Sequence, residues 1–272
     1  MLRRLLPPGV IVHEAFGDPV GAVLHPEEEP LVARAVESRR REFTTVRHCA
    51  RAALRELGRP EGPVLPDRHG APRWPEAVVG SLTHCAGYRA AALAEARDFL
   101  MIGVDAEPHG PLPEGVEEVI ALPTERARLA AARRAQPLLH FGRVLFSAKE
   151  SIYKSWYTHT GQRLDFESAD IVFEIFEIAP DHGDDGVPAS TAAPSGAVAA
   201  SGSFTARLTG PRGEPLARPA LPDGDAGLLR GRWLIERDLV VTAVAVAVAG
   251  ARGGRAEEQG GPVGIRLGGS GR

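Results

Sequence analysis

One order of predicted elements is laid down twice along this chain, and that repetition constrains its fold more than any single motif. Val32, Val36, Phe43, Val46, Ala50, Ala53, Leu54 and Leu57 recur at helical spacing, predicting a helix from Leu31 to Leu57 that Gly58 and Pro60 stop. A loop with the turn signal Asp67-Arg68-His69-Gly70 follows, then predicted strands over 78–84, 90–94 and 100–104. After the breaker-rich stretch Pro108 to Pro113 the order returns. Helices are expected over 124–135 and 138–156, and strands over 171–178, 204–208, 231–236 and 239–248. The closing pair of strands echoes the 78–94 pair. The expected fold is α+β, with two similar halves (1–107 and 108–249) packed as a pseudo-dimer around a cleft that holds the active site. Residues 180–202, rich in Gly, Ala, Ser, Pro and Asp, and the Gly- and Arg-rich 250–272 are expected to be a disordered insert and tail.

Bulk properties exclude several classes. With 272 residues and 43% of them hydrophobic, the chain can bury a core without staples. A formal charge of −3 gives no general attraction to nucleic acid or membrane, so a phosphate site must be local. Cys49 and Cys85 cannot make a disulfide framework and read as reduced thiols. The first ten residues lack a signal-peptide core, and the apolar run 239–249 has 11 residues, too few to span a bilayer. A soluble, cytoplasmic protein is expected.

The usage of basic residues is uneven. Of 32 Lys and Arg, only Lys149 and Lys154 are lysines, five positions apart. Arginine evidently serves wherever charge alone suffices, so the pair points to chemistry that a guanidinium would not supply. An ammonium is compact and can give up its proton, whereas Arg effectively cannot. Chance clustering is the competing explanation.

Three constellations could carry that chemistry. In Gly103-Val104-Asp105-Ala106-Glu107, Asp105 and Glu107 fall on one side of an extended chain, offering two hard oxygens to Mg²⁺. Alone, such a pair is commonly just a solvated strand end. In Phe146-Ser147-Ala148-Lys149-Glu150-Ser151-Ile152-Tyr153-Lys154, Glu150 and Lys154 form an i, i+4 pair on a helix. That pair would be a weak surface ion pair were the flanking residues not so apolar. In Gly80-Ser81-Leu82-Thr83-His84, a strand delivers a His that could hold phosphate or relay a proton, although a lone His is more often structural.

Taken together, with Arg39 and Arg47 upstream, these segments resemble the surfactin/enterobactin-synthetase-activating class of 4'-phosphopantetheinyl transferases, and most closely its actinobacterial branch. The resemblance rests on Gly-Val-Asp-Ala-Glu followed by Phe-Ser-Ala-Lys-Glu-Ser-Ile-Tyr-Lys, with Arg-Glu-Phe-x-x-x-Arg (Arg41 to Arg47) and Gly-Ser-Leu-Thr-His in the expected order. It covers Glu27 to Ile178 and again Leu229 to Val248. It implies that Asp105, Glu107 and Glu150 hold Mg²⁺ (or Mn²⁺) with the pyrophosphate of coenzyme A, and that Arg39, Arg47 and His84 hold its 3'-phosphate. Thr83 and the loop Asp67, Arg68, His69 and Gly70 would flank the adenosine. Lys154 would contact the pyrophosphate and Lys149 would orient the same phosphates. Where relatives often carry a lysine in the adenosine loop this chain has Pro66, leaving Arg68 or His69 as substitutes.

The implied reaction moves 4'-phosphopantetheine from coenzyme A to a serine of an apo acyl or peptidyl carrier protein and releases 3',5'-ADP. Glu150 and Lys154 are the expected catalytic residues, with the proton leaving either to Glu150 or to a metal-bound water. The carrier could serve fatty-acid, polyketide or nonribosomal-peptide synthesis. It is expected to dock on apolar residues between Leu122 and Phe146, with Arg126, Arg128, Arg133 and Arg134 nearby. One-half members of the class assemble trimers, so a chain with both halves is expected to be a monomer. The competing readings are a Mg²⁺-dependent nucleotide phosphodiesterase and a non-enzymatic coenzyme-A-binding module.

Overall fold

The computed structural model describes residues 1–181, 198–210 and 227–250, and the backbone of 265–266. The first element, β1 (Ile11–Ala15), precedes helix α1 (Glu37–Glu56). The helical pattern begins six residues late because Pro30 directs 29–32 into a separate 3₁₀ turn and Val36 is extended, with ψ 155°. Phe43, Val46, Ala50, Ala53 and Leu54 are buried on one face of α1. Strands β2 (Val78–Cys85) and β3 (Tyr88–Glu95) form the hairpin foreseen around Gly87, and β1 adds to β3, giving the antiparallel order β1-β3-β2.

Alternation along β3 separates two cores. Ala91 and Leu93 belong to the clusters under α1, whereas Tyr88, Ala90, Ala92 and Ala94 face the second sheet. The alanines keep that sheet-to-sheet distance short.

The second sheet begins with β4 (Phe99–Pro108). Short helix α2 (Val116–Ile120), α3 (Pro123–Ala135) and long α4 (Phe141–Thr160) follow, then β5 (Ala169–Pro180), β6 (Val198–Leu208), β7 (Leu228–Glu236), β8 (Leu239–Ala247) and β9 (Ile265–Arg266). The order is β4-β8-β7-β6-β5-β9, antiparallel throughout. Helix α4 covers this sheet, burying Val144, Leu145, Ala148 and Ile152, each contributing about 1–3 kcal/mol by leaving water.

The repeat is real, but its boundary lies one strand earlier than 107–108. β4 pairs with β8, not with the first sheet, and Asp105 sits opposite Thr242. The two units are therefore β1-α1-β2-β3 and β4-α4-β7-β8, with sheet orders β1-β3-β2 and β4-β8-β7. Helices α2 and α3 and strands β5 and β6 are additions to the second.

The low-complexity stretches also need revision at their margins. Residues 182–197, 251–264 and 267–272 lie outside the described residues. Pro180 ends β5, however, residues 198–202 open β6, and Ile265 pairs with Ile175. At Gly202 the small residue has a packing cause: a Cβ there would lie 2.6 Å from Trp233 Nε1 and 1.9 Å from Glu174 O. Among the described residues no helix is long and apolar enough to cross a membrane.

Candidate active site

β4 is longer than the pattern suggested, so Asp105 and Glu107 lie within it rather than at its end. Ile102, Val104 and Ala106 point into the core shared with the first sheet. Gly103, Asp105 and Glu107 point the other way, towards α4. Gly103 sets how close that helix comes: a Cβ there would lie 1.9 Å from Ser151 O and 2.8 Å from Ser155 Cβ. Ser147, Ser151 and Ser155 form a fully buried small-residue stripe facing the strand. This close approach puts the carboxylates of β4 within reach of longer side chains on α4.

Lys154 Nζ donates to Asp105 Oδ1 at 2.6 Å and to Val104 O at 3.2 Å. Asp105 is 4% exposed, and its Oδ2 is buried without a partner among the described residues. Glu107 accepts from Arg143 at 3.1 Å. Burial raises the Glu107 carboxyl above its ordinary range and Asp105 adds to this, against the pull of Arg143 and Lys154. Glu150 has no hydrogen-bonded or ion-paired neighbour among the described residues. Its carboxyl is raised by burial and by Asp105, with Lys154 opposing.

The other wall of the site comes from the first unit. A cavity of about 470 Å³ runs between Arg39, Phe43 and Arg47 of α1, the 66–72 loop, Thr83 and His84 of β2, and Glu150, Tyr153, Lys154 and Tyr157 of α4. Arg39 Nη1 contacts the His84 ring, and Glu42 lies 3.4 Å from His84 Nδ1. Burial, and then Arg39, hold the His84 pKa down to about 4, so the ring is neutral near pH 7 and accepts from the guanidinium. Arg47 is buried over the Phe43 ring with Nε donating to Val64 O at 3.2 Å; burial lowers its pKa to about 10, and it stays charged. Behind it, fully buried Glu28 accepts from Val64 N at 2.8 Å and Arg51 at 3.0 Å, tying the loop to α1. Thr83 Oγ1, at the cavity wall, is a buried hydroxyl with no partner among the described residues.

The expected residues divide into three groups. Arg39, Arg47, His69, Gly70, Thr83, His84, Glu150 and Lys154 line the cavity, whereas Asp105, held by Lys154, and Glu107, held by Arg143, do not. Asp67 does not line it. Its Oδ1 accepts from the backbone N–H of His69 and Ala71 at 2.8 and 3.0 Å, and its Oδ2 from Tyr157 OH at 2.7 Å, so it shapes the loop from within. Arg68 also lies outside, donating to His69 Nε2 at 2.9 Å, so of the two expected substitutes for the missing lysine it is His69 that lines the cavity.

Lys149 departs furthest from expectation. It is 3% exposed and donates to Glu125 Oε2 at 2.8 Å and Phe166 O at 2.7 Å, away from the cavity. Helix geometry is the reason, since a five-residue step turns about 140° and cannot place both lysines on one face. Tyr153 and Tyr157, stacked with centroids 5.9 Å apart, were missed although they share the face of Glu150 and Lys154 at helical spacing.

Among the described residues no three His, Cys, Asp or Glu side chains close into a complete metal cage. Mg²⁺ does not require one, because it commonly takes one or two carboxylates and completes its shell with water and substrate phosphate. Asp105 Oδ2, buried with no partner among the described residues, is a hard oxygen of the kind such an ion takes.

Similarity to known proteins follows the same division of the chain. Residues 27–94 match the family model for the 4'-phosphopantetheinyl transferase N-terminal domain, and 101–184 match that of the 4'-phosphopantetheinyl transferase superfamily, which starts inside β4. The 4'-phosphopantetheinyl transferase Svp of Streptomyces mobaraensis is 46% identical over 95% of this chain and 93% of its own. Npt of Nocardia iowensis is 44% identical over 91% of this chain and 100% of its own. PptT of Mycobacterium tuberculosis is 43% identical over 85% and 89%. A cleft shared by two like units, with acids on one side and arginines on the other, thus sits in a chain aligned almost end to end with these enzymes, and the chain belongs to the 4'-phosphopantetheinyl transferase superfamily.

Proposed function

We propose that the cavity binds coenzyme A and that the chain transfers its 4'-phosphopantetheinyl group to a serine of an apo acyl or peptidyl carrier protein. The observation that carries this reading is the single cavity joining Arg39, Arg47 and His84 of one unit to Glu150 and Lys154 of the other. Arg39, Arg47 and neutral His84 receive the 3'-phosphate; Thr83, Gly70 and His69 flank the adenosine. Tyr153 and Tyr157 add an aromatic wall.

In the transfer, the serine oxygen forms a bond to the pantetheine-side phosphorus while the bond from that phosphorus to the bridging oxygen breaks, releasing 3',5'-ADP. The serine proton passes to Glu150, the carboxylate that α4 presents to the cavity. Lys154 faces the charge that grows on the bridging oxygen. Asp105, Glu107 and Glu150 would hold Mg²⁺, which supplies neutralisation of phosphate charge when bound. The acceptor approaches beside α4, past Leu138 and the α3 arginines. Both units come from one chain, so the working form is a monomer.

Incubation with coenzyme A, Mg²⁺ and an apo carrier protein tests the reading. The expected result is a carrier mass gain of one phosphopantetheine. Hydrolysis of coenzyme A with an unmodified carrier would instead mark a phosphodiesterase, and binding alone a regulatory module. A panel of fatty-acid, polyketide and nonribosomal-peptide carriers then identifies the acceptor.

A further inference from the structure

Arg143 takes no part in the transfer described above, yet it grips the site. Its Nη1 donates to Glu107 Oε2 at 3.1 Å and its Nη2 to Pro111 O at 2.7 Å, while its Nε is buried with no partner among the described residues. On α4 the residues Arg143, Glu150 and Lys154 stand at i, i+7 and i+11, and at about 100° per residue they share one stripe. That stripe lies over the carboxylates of β4. Each carboxylate accordingly meets its own cation from the helix: Asp105 meets Lys154 and Glu107 meets Arg143. The Arg143–Glu107 pair is sheltered, with side chains 17% and 23% exposed, so it is screened less than an ordinary surface pair.

We propose that Arg143 is a built-in counter-ion for Glu107, a positioning residue that holds this carboxylate in place in the metal-free enzyme and competes with the divalent ion for it. The inference rests on the reading of Asp105 and Glu107 as metal ligands. Arginine cannot give way by losing a proton, so charge and geometry alone settle the competition. Its second bond, to Pro111, keeps the guanidinium over Glu107 by anchoring it to the segment that leaves β4.

Binding of Mn²⁺ to the full chain without coenzyme A, followed by the electron paramagnetic resonance signal of the free ion, tests this. R143Q is expected to tighten binding by about threefold to tenfold, the order expected for removing one partly screened charge beside a divalent ion. R143K, which keeps the charge, should stay near wild type. In an E107Q background, R143Q should add much less than it does alone. Unchanged or weaker binding in R143Q, with the thermal midpoint retained, would overturn the proposal and leave Arg143 as a tether to Pro111. R143M, which keeps the aliphatic packing, carries the same prediction if R143Q does not fold; failure of both to fold would make Arg143 structural and also overturn it. D105N separates the two levels. Undiminished Mn²⁺ binding in D105N defeats the metal assignment itself, whereas lost binding in D105N with wild-type affinity in R143Q defeats only the counter-ion.

Discussion

The two repeated units share a topology and differ at a few positions that decide what each can do. Their hairpins close at Cys85↔Tyr88 and Glu236↔Leu239. Counting from those closures, His13 and Ala15 of β1 occupy the places of Asp105 and Glu107 in β4. Ile11 likewise stands where the second unit has Gly103. In the first unit that isoleucine packs against the cluster containing Ala53 and Leu54; in the second, glycine admits α4 almost onto the strand. The helices are equally long, 20 residues each. One scaffold thus yields an apolar strand–helix contact in the first unit and an acid cluster faced by cations in the second. On the roles proposed above, the first unit supplies phosphate recognition and the second the chemistry.

That division can be broken by substitution, and the largest effect is expected in the second unit. Asp105→Ala or Glu150→Ala should lower transfer by about a thousandfold or more with the thermal midpoint little changed, because each removes a group acting directly on the reacting charges. His13→Ala, at the place equivalent to Asp105, should leave the rate close to wild type. A carrier mass-shift assay reads both, and an active Asp105→Ala would end the distinction. Lys154→Arg keeps the charge but not the compact ammonium, and should cost about tenfold to a hundredfold in kcat; near-normal turnover would mean that charge alone suffices there.

Smaller effects are expected in the first unit. Arg39→Ala should raise the KM for coenzyme A by about tenfold with kcat nearly kept, since the 3'-phosphate lies away from the breaking bond. Equal losses in kcat would place Arg39 in the chemistry and blur the comparison. The smallest effect is in pH dependence. His84 titrates near 6.5 when unfolded and at about 4 when folded, so the unfolded chain binds more protons between those values. Its contribution to stability is full above about pH 6.5 and is lost as the pH falls towards 4. Melting points of the free protein across that range should fall less steeply in His84→Gln than in wild type.

Much of this was legible in the sequence because the signals are local. The face shared by Glu150 and Lys154, the alternation of Asp105 and Glu107, and the hairpin at Gly87 follow from short-range geometry. What escaped was mostly non-local. No pattern around 99–108 says that this strand pairs with 239–247 rather than with its sequence neighbours. Asp67 carries a turn signal whichever way its carboxylate points, so its bond to Tyr157 could not be foreseen. Arg143 looked like one more arginine in an arginine-rich chain. Lys149 is different. The angle between it and Lys154 could have been worked out beforehand, and the scarcity of lysine drew both into one role. Its real partner, Glu125, also accepts from the backbone N–H of Ile171 and Leu122, so Lys149 helps lock α3, α4 and β5 together.

The pairing of β4 with β8 has a consequence for how the protein is made. A ribosome releases chain from the N-terminus, so the first sheet and α1 can assemble early. The strand bearing Asp105 emerges with its apolar face able to settle on that sheet, but its hydrogen-bonding partner, at Thr242, comes only after nearly all the described fold has been synthesised. The surface proposed above to bind phosphate can therefore form on the nascent chain before the acid cluster is fixed in place. Long-range strand closure is slow in general, so catalytic competence is expected to wait on this pairing.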